Sequence, residues 1–75
     1  MTTRIASARE LGALVRTERR RQALTQVKLA ALCGVSPRLL GELEGGRSSV
    51  GVGRVIGICA RLGVDLFAAR RGEQS

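Results

Sequence analysis

The chain contains no histidine, no tyrosine and no tryptophan, and it has one phenylalanine, one proline and two cysteines. Cys33 and Cys59 do not form a CxxC pair, and without an imidazole to join them they make no zinc set. General acid–base and nucleophilic catalysis have almost nothing to work with: no His or Tyr, Lys28 as the only lysine, and no paired carboxylates in a pocket-like setting. An enzyme is therefore not expected, and neither is a cofactor or a bound metal. The lack of aromatic stacking platforms argues against RNA as the ligand. There is no run of ~18 apolar residues, so no membrane span is expected. The opening MTTRIASARE has no apolar h-region, so no secretory signal is expected and the expected location is cytoplasmic. Acidic residues are scarce as well, 6 against 13 basic ones, for a net charge of +7.

At 75 residues the expectation is one domain, residues 1–75, with its core in 8–63. The hydrophobic content of 44% is enough for a core. A chain this short buries only about 60% of its unfolded surface, so a partner subunit would add needed stability. The positive balance suits a polyanion. All but one of the 13 basic residues are Arg, however, in a chain rich in Ala, Gly, Leu and Val, a bias that GC-rich coding also produces. Charge alone does not decide the ligand. Both cysteines sit among apolar residues at helical spacing and read as buried thiols in a reducing compartment.

Four helices are legible. The first opens at Ser7-Ala8-Arg9-Glu10, a capping box, carries Leu11, Leu14 and Val15 as its apolar stripe and runs to about Gln22. Thr25 caps the second, residues 26–33, with Leu29, Ala30 and Leu32 inward; Gly34 ends it in a left-handed position. Ser36 caps the third and Pro37 is its first residue, where the missing N–H costs nothing. It stops at Gly45-Gly46. The fourth covers about residues 50–62, with Val52, Val55, Ile56, Cys59 and Leu62 on one stripe and Gly63 at its close. Residues 64–70 lack a helical period and read as a short strand, with a fifth short helix as the competitor. A basic amphipathic membrane helix is not expected, because packing four helices uses up the apolar stripes.

The second and third helices, joined by Cys33-Gly34-Val35-Ser36, form a helix-turn-helix. At ~100° per residue, Leu39, Leu40 and Leu43 define the buried face of the third helix, and Pro37, Arg38, Gly41 and Glu42 its opposite face. Gly41 costs roughly 1 kcal/mol in a helix interior relative to Ala. Placed on the outward face, it lets the helix approach the floor or wall of a major groove ~12 Å wide. Arg38 can pair bidentately with guanine O6 and N7, or pair with Glu42 four residues on. Pro37 can touch a thymine methyl, and Ser36 can cap its helix while reaching a phosphate or base. Thr25 and Gln26, at a helix N-terminus that favours phosphate, suit the DNA backbone, as do Lys28, Arg47, Ser48 and Ser49. The alternative for Arg47, Ser48 and Ser49 is a solvated loop.

The run LTQVKLAALCGVSPRLLGELEGGR resembles the helix-turn-helix core of the Xre/lambdoid repressor superfamily. SPRLLGELEGGR followed by VGVGRVIGICARLGVDL, in so short a chain, is more narrowly similar to HipB-like antitoxins. The resemblance covers residues 8–71. It implies an all-α, lambda-repressor-like domain of four to five helices with a short C-terminal strand that pairs across a homodimer through Val64, Leu66, Phe67 and Ala68. It implies that Gln26 meets the DNA backbone, that Ser36, Pro37, Arg38, Gly41 and Glu42 face the groove, and that Arg19 forms a structural salt bridge with Glu44. As function it implies autorepression at a palindromic operator in double-stranded DNA and a HipA-like kinase toxin as partner. A stand-alone Xre-type repressor is the other reading. A protein-interaction module that had given up DNA would have lost basic residues around the second and third helices; the opposite is seen. Two positions depart from the family pattern: Lys28 stands where an acidic residue is usual, and the tail is short, with Phe67 its one aromatic.

Overall fold

The computed structural model describes residues 2–72 as a four-helix, all-α fold: α1 (Ala8–Arg21), α2 (Gln26–Cys33), α3 (Pro37–Glu44) and α4 (Val52–Arg61). None of the helices is long and apolar enough to cross a membrane. Each of the first three begins on a side-chain cap. Ser7 Oγ accepts from the Glu10 N–H at 3.1 Å, Thr25 Oγ1 from the Lys28 N–H at 3.0 Å and Ser36 Oγ from the Leu39 N–H at 3.0 Å. The Glu10 carboxylate reaches back past the cap to accept from the Ala6 N–H at 2.6 Å. Gly34 and Gly46 take up left-handed conformations, φ +69° and +88°, where a side chain would be strained. Ala23 occupies the same region, φ 59°, without being glycine.

Helix α1 packs on α3, α3 on α2, and α2 on α4. Their shared core is Val15, Leu29, Ala30, Leu40, Leu43, Val55, Ile58, Cys59 and Leu62. Leu11, Leu24, Cys33, Val35, Leu39, Val50 and Val64 close over it. Burial pushes both thiols above their ordinary pKa; Cys59 is fully buried, but Cys33 is only half-buried, and Arg61 offsets part of its shift.

Three sequence expectations are corrected here. Leu32 points outward, because QVKLAALC is apolar nearly all round and periodicity cannot choose its inner face. Val52 and Ile56 lie outside the core, Val52 with 73% of its surface exposed; α4 starts at Val52 rather than near residue 50 and turns Val55, Ile58, Cys59 and Leu62 inward. Residues 64–70 form neither strand nor fifth helix in the single chain. Val64 is held by its N–H to the Cys59 carbonyl at 2.8 Å. Beyond it the backbone meets no neighbouring strand among the described residues, and a lone strand is not stable in water.

Two contacts fix how the helices cross. At Gly12, α1 lies directly against the backbone carbonyls of Leu43 and Glu44 at the end of α3. Beside it, Arg19 on α1 and Glu44 on α3 form a buried bidentate pair, Nε to Oε2 at 2.7 Å and Nη2 to Oε1 at 3.0 Å, with side-chain exposures of 8% and 3%. Arg19 Nη1 also donates to the Leu24 carbonyl at 2.7 Å, and Gln26 Nε2, opening α2, donates to Glu44 Oε1 at 3.1 Å. No buried side-chain polar atom among the described residues lacks a partner. Burial pushes the Glu44 carboxyl up, but the hydrogen bonds from Arg19 and Gln26 and the charges of Arg19 and Arg16 outweigh it and hold it below the ordinary carboxylate range. The hydrogen bond to Glu44 raises the Arg19 guanidinium, against the opposing effect of burial.

Gly12→Ala places a methyl into the Leu43 and Glu44 backbone, and forcing α1 off α3 should cost about 1–3 kcal/mol despite the better helix propensity. Gly57→Ala, whose methyl meets nothing within 4 Å, should instead stabilise by up to ~1 kcal/mol. Urea midpoints of the two variants test this, with opposite signs expected.

Arg19→Met should cost about 3–5 kcal/mol near pH 7, because it leaves Glu44 buried without its cation. Arg19→Met with Glu44→Leu should recover most of that loss, short of the bonds to Leu24 and Gln26. Because the folded pKa of Glu44 is depressed, its stabilisation is complete above the ordinary value of 4.5 and is lost as pH falls through the folded value. In Arg19→Met the Glu44 carboxyl keeps the Gln26 bond and the Arg16 charge but loses its largest support against burial, so its pKa should rise and the gap between wild type and variant should narrow on acidification. Unfolding at pH 7 and near pH 4 checks the sign; a gap that widens would mean that Glu44 is not the titrating partner.

Candidate nucleic-acid interface

Helices α2 and α3 meet through the Gly34 turn, with the Val35 N–H on the Ala30 carbonyl at 3.0 Å. Leu40 and Leu43 are buried beneath α3 and Leu39 half-buried, which turns Pro37 and Arg38 to solvent. Ser36 is also exposed; its oxygen is engaged by the Leu39 N–H, and its hydroxyl proton stays available to donate.

Arg38 is almost fully exposed, with Nε 3.7 Å from Glu42 Oε2. Glu42 is also approached by Arg47 Nη2 at 3.9 Å. Both distances are too long for direct hydrogen bonds, and exposed pairs of this kind contribute little to stability. The guanidinium groups are thus held in loose register around one carboxylate and can exchange it for an acceptor on a ligand. The Arg47 N–H donates to the Glu42 carbonyl at 2.9 Å, so the start of the loop after α3 is anchored to the helix; Arg47, Ser48 and Ser49 all project into solvent.

Gly41 is half-buried rather than fully exposed. A methyl there would lie 3.9 Å from both the nitrogen and the oxygen of the Gln26 side-chain amide, an ordinary contact. Gln26 thus lies across α3 at Gly41 while donating to Glu44. Thr25 and Lys28 flank it, both exposed. The structure therefore joins Gln26 of the α2 N-terminus to Gly41 of α3 and gathers Arg38 and Arg47 around Glu42, while Thr25, Lys28, Ser36, Pro37, Ser48 and Ser49 are each exposed. Val64 docks on the core; Leu66, Phe67 and Ala68 are exposed, Phe67 with 80% of its surface free.

Sequence reasoning missed three features of this region. It did not find the Gln26–Glu44 bond, because residues 18 apart carry no local signal. It did not find the Gly12 crossing, because a glycine inside a helical pattern does not announce what faces it. It also passed over Arg9, Arg16 and Arg20 on the outer side of α1, whose 7- and 4-residue spacing was the available sign.

Residues 10–71 match the helix-turn-helix domain family. Across 74 residues the chain is 35% identical to an uncharacterized HTH-type transcriptional regulator, y4mF, of Sinorhizobium fredii, a match that spans 99% of this chain and 97% of that protein. Its fold is similar to that of a chain in a HipA-HipB-O2-O3 complex, with TM-score 0.84, 17% identity, and 93% and 99% of the two chains covered. A chain in a complex of a HipB variant with an O2 20mer gives the same score and identity, over 95% and 99% of the two chains. At that identity the structural likeness speaks to the fold, and it is the family match and the Sinorhizobium relative that place the sequence: the chain belongs to the helix-turn-helix domain family and is an HTH-type transcriptional regulator.

Proposed function

We propose that the chain is a sequence-specific, DNA-binding repressor of the HipB-like antitoxin kind, which occupies a palindromic operator as a homodimer, represses its own promoter and holds a HipA-like kinase toxin. The observation that carries the DNA reading is the junction of the α2 N-terminus with α3 at Gln26 and Gly41, beside the exposed Arg38 and Arg47 that converge on Glu42. α3 is the recognition helix. Arg38 reads a guanine, Ser36 and Pro37 contact neighbouring base edges, Glu42 orients Arg38, and Gly41 keeps the approach clear. Thr25, Gln26, Lys28, Arg47, Ser48 and Ser49 hold the phosphates, with the Gln26 amide braced in advance by Glu44. The toxin partner is supported by the shared fold with chains from HipB complexes, and the reading is tested first by gel shift on the chain's own promoter and co-purification with the product of the neighbouring gene.

Arg38→Ala should weaken binding to the operator by about 1–3 kcal/mol and relax preference at one base pair, since a bidentate base contact is lost. Arg47→Ala should weaken binding to every sequence and lower the salt slope by about one. Titration of operator and scrambled duplexes separates them. Equal losses on both duplexes for Arg38→Ala would make it a phosphate contact only.

The dimer reading rests on exposed apolar side chains that the single chain does not cover: Val52 and Ile56 on α4, and Leu66 and Phe67 in the tail. Tails paired across a two-fold axis would satisfy each other's backbone and set two half-sites about one helical turn, ~34 Å, apart. Removing residues 66–75 spares Val64 and the core, and should yield a weaker or monomeric species by light scattering at micromolar concentration. A truncated chain that stays dimeric would assign the interface to Val52 and Ile56.

A further inference from the structure

We propose that Arg9, Arg16 and Arg20 form a second phosphate-binding track along the outer side of α1, continuous with the DNA surface; the proposal rests on the DNA-binding reading above and extends its footprint. At ~100° per residue the three arginines fall within about 40° of one another on the helix. With Ala13 and Thr17 between them, and Glu44 and Gly45 opposite, they line an open groove of about 450 Å³. All three are exposed, and none belongs to the ion pairs of the described residues.

The acids that could neutralise them are committed elsewhere. Glu10 accepts from the Ala6 N–H, and Glu18 holds Arg21 and Gln22. Glu44, at the edge of the groove, has its hydrogen bonds taken by Arg19 and Gln26; Arg16 feels its charge but makes no ion pair with it. Arg16 and Arg20, one turn apart, repel each other in the free helix, and a bound polyanion would remove that repulsion. The small residues Ala13 and Thr17 leave the floor low enough for a ridge of phosphates to enter. Arg9 to Arg20 spans ~16 Å of helix, a length over which one DNA strand presents several phosphates at ~3.4 Å of axial rise each.

The position of the groove favours DNA over an acidic protein. A methyl on Gly46 would come within 2.9 Å of the Arg9 Cα, so Arg9 borders the loop that carries Arg47. Glu44, on the groove wall, bonds Gln26, which lies against Gly41 of α3. The track therefore begins where the DNA surface ends. Its lining contains no large apolar side chain to anchor a protein, whereas protein interfaces have an apolar or aromatic centre.

The test compares Arg16→Gln/Arg20→Gln with Arg54→Gln/Arg61→Gln, which removes the same charge from the groove between α2 and α4. Gln keeps helix propensity at these exposed positions, and thermal unfolding confirms that each variant is folded. Binding to a generic duplex of about 30 base pairs is followed by fluorescence anisotropy across a salt series. The α1 variant should lower the slope of log K against log salt by about 1.8 per chain, and the control by less than half of that. Arg16→Lys/Arg20→Lys, which keeps the charge, should retain the wild-type slope. Equal slopes for the α1 variant and the control would overturn the track in favour of net charge alone. A wild-type slope in the α1 variant would overturn it and leave the groove to an acidic protein surface. Failure of the wild-type chain to bind duplex in a salt-dependent way would instead refute the DNA-binding reading itself, and the track with it.

Discussion

The bidentate pair between Arg19 and Glu44 is the joint on which the relative placement of three helices depends. It joins α1 to the end of α3 in a nearly solvent-free setting, and through Gln26 it takes in the first turn of α2. A buried ion pair gains little net stability over a well-packed apolar pair, but it has directions that an apolar pair lacks. The guanidinium plane must meet the carboxylate edge-on, and its third nitrogen must meet the Leu24 carbonyl. Those constraints, with the close crossing at Gly12, leave α1 and α3 one way to lie against each other.

From that joint the outward surface follows. Because Glu44 is drawn inward at the end of α3, Glu42 and Arg38 stay on the other side of the helix and remain exposed or half-exposed. Because Gln26 is tied to Glu44, its amide lies beside Gly41, and the N-terminus of α2 is held next to α3. Glu42 has no short side-chain hydrogen bond among the described residues and sits between two arginines at ion-pair distances of 3.7 and 3.9 Å. The acids of α1 and α3 that are engaged in caps or buried pairs leave an outer face dominated by arginine, the arrangement by which a net charge of +7 becomes a directed field.

Small size imposes a second constraint. Nine hydrophobic residues make up the buried core of the described chain, and stability at this scale is marginal. Val52 and Ile56 on α4 and Leu66 and Phe67 in the tail remain outside it, as do Val27 and Leu32 on α2. These exposed apolar side chains are consistent with the proposed dimer, in which a second copy would supply the burial that one chain lacks.

The four helices and most of their limits are legible in the residues themselves, because caps at Ser7, Thr25 and Ser36, Pro37 at a first helical position and Gly34 and Gly46 at helix ends act over three or four residues. The sequence also separated the buried side of α3 from its exposed side, since PRLLGELE has a clear helical contrast. It placed Arg19 with Glu44 only through family resemblance; no spacing rule joins residues 25 apart. Only the packing of the helices shows that Leu32, Val52 and Ile56 face outward while Ile58 is buried, that Gln26 lies against Gly41, and that Arg9, Arg16 and Arg20 border the end of α3. Periodicity states which residues share a side of a helix, but which side is covered depends on the neighbour that packs there, and in a chain with apolar residues on several sides that choice is made only when the helices meet.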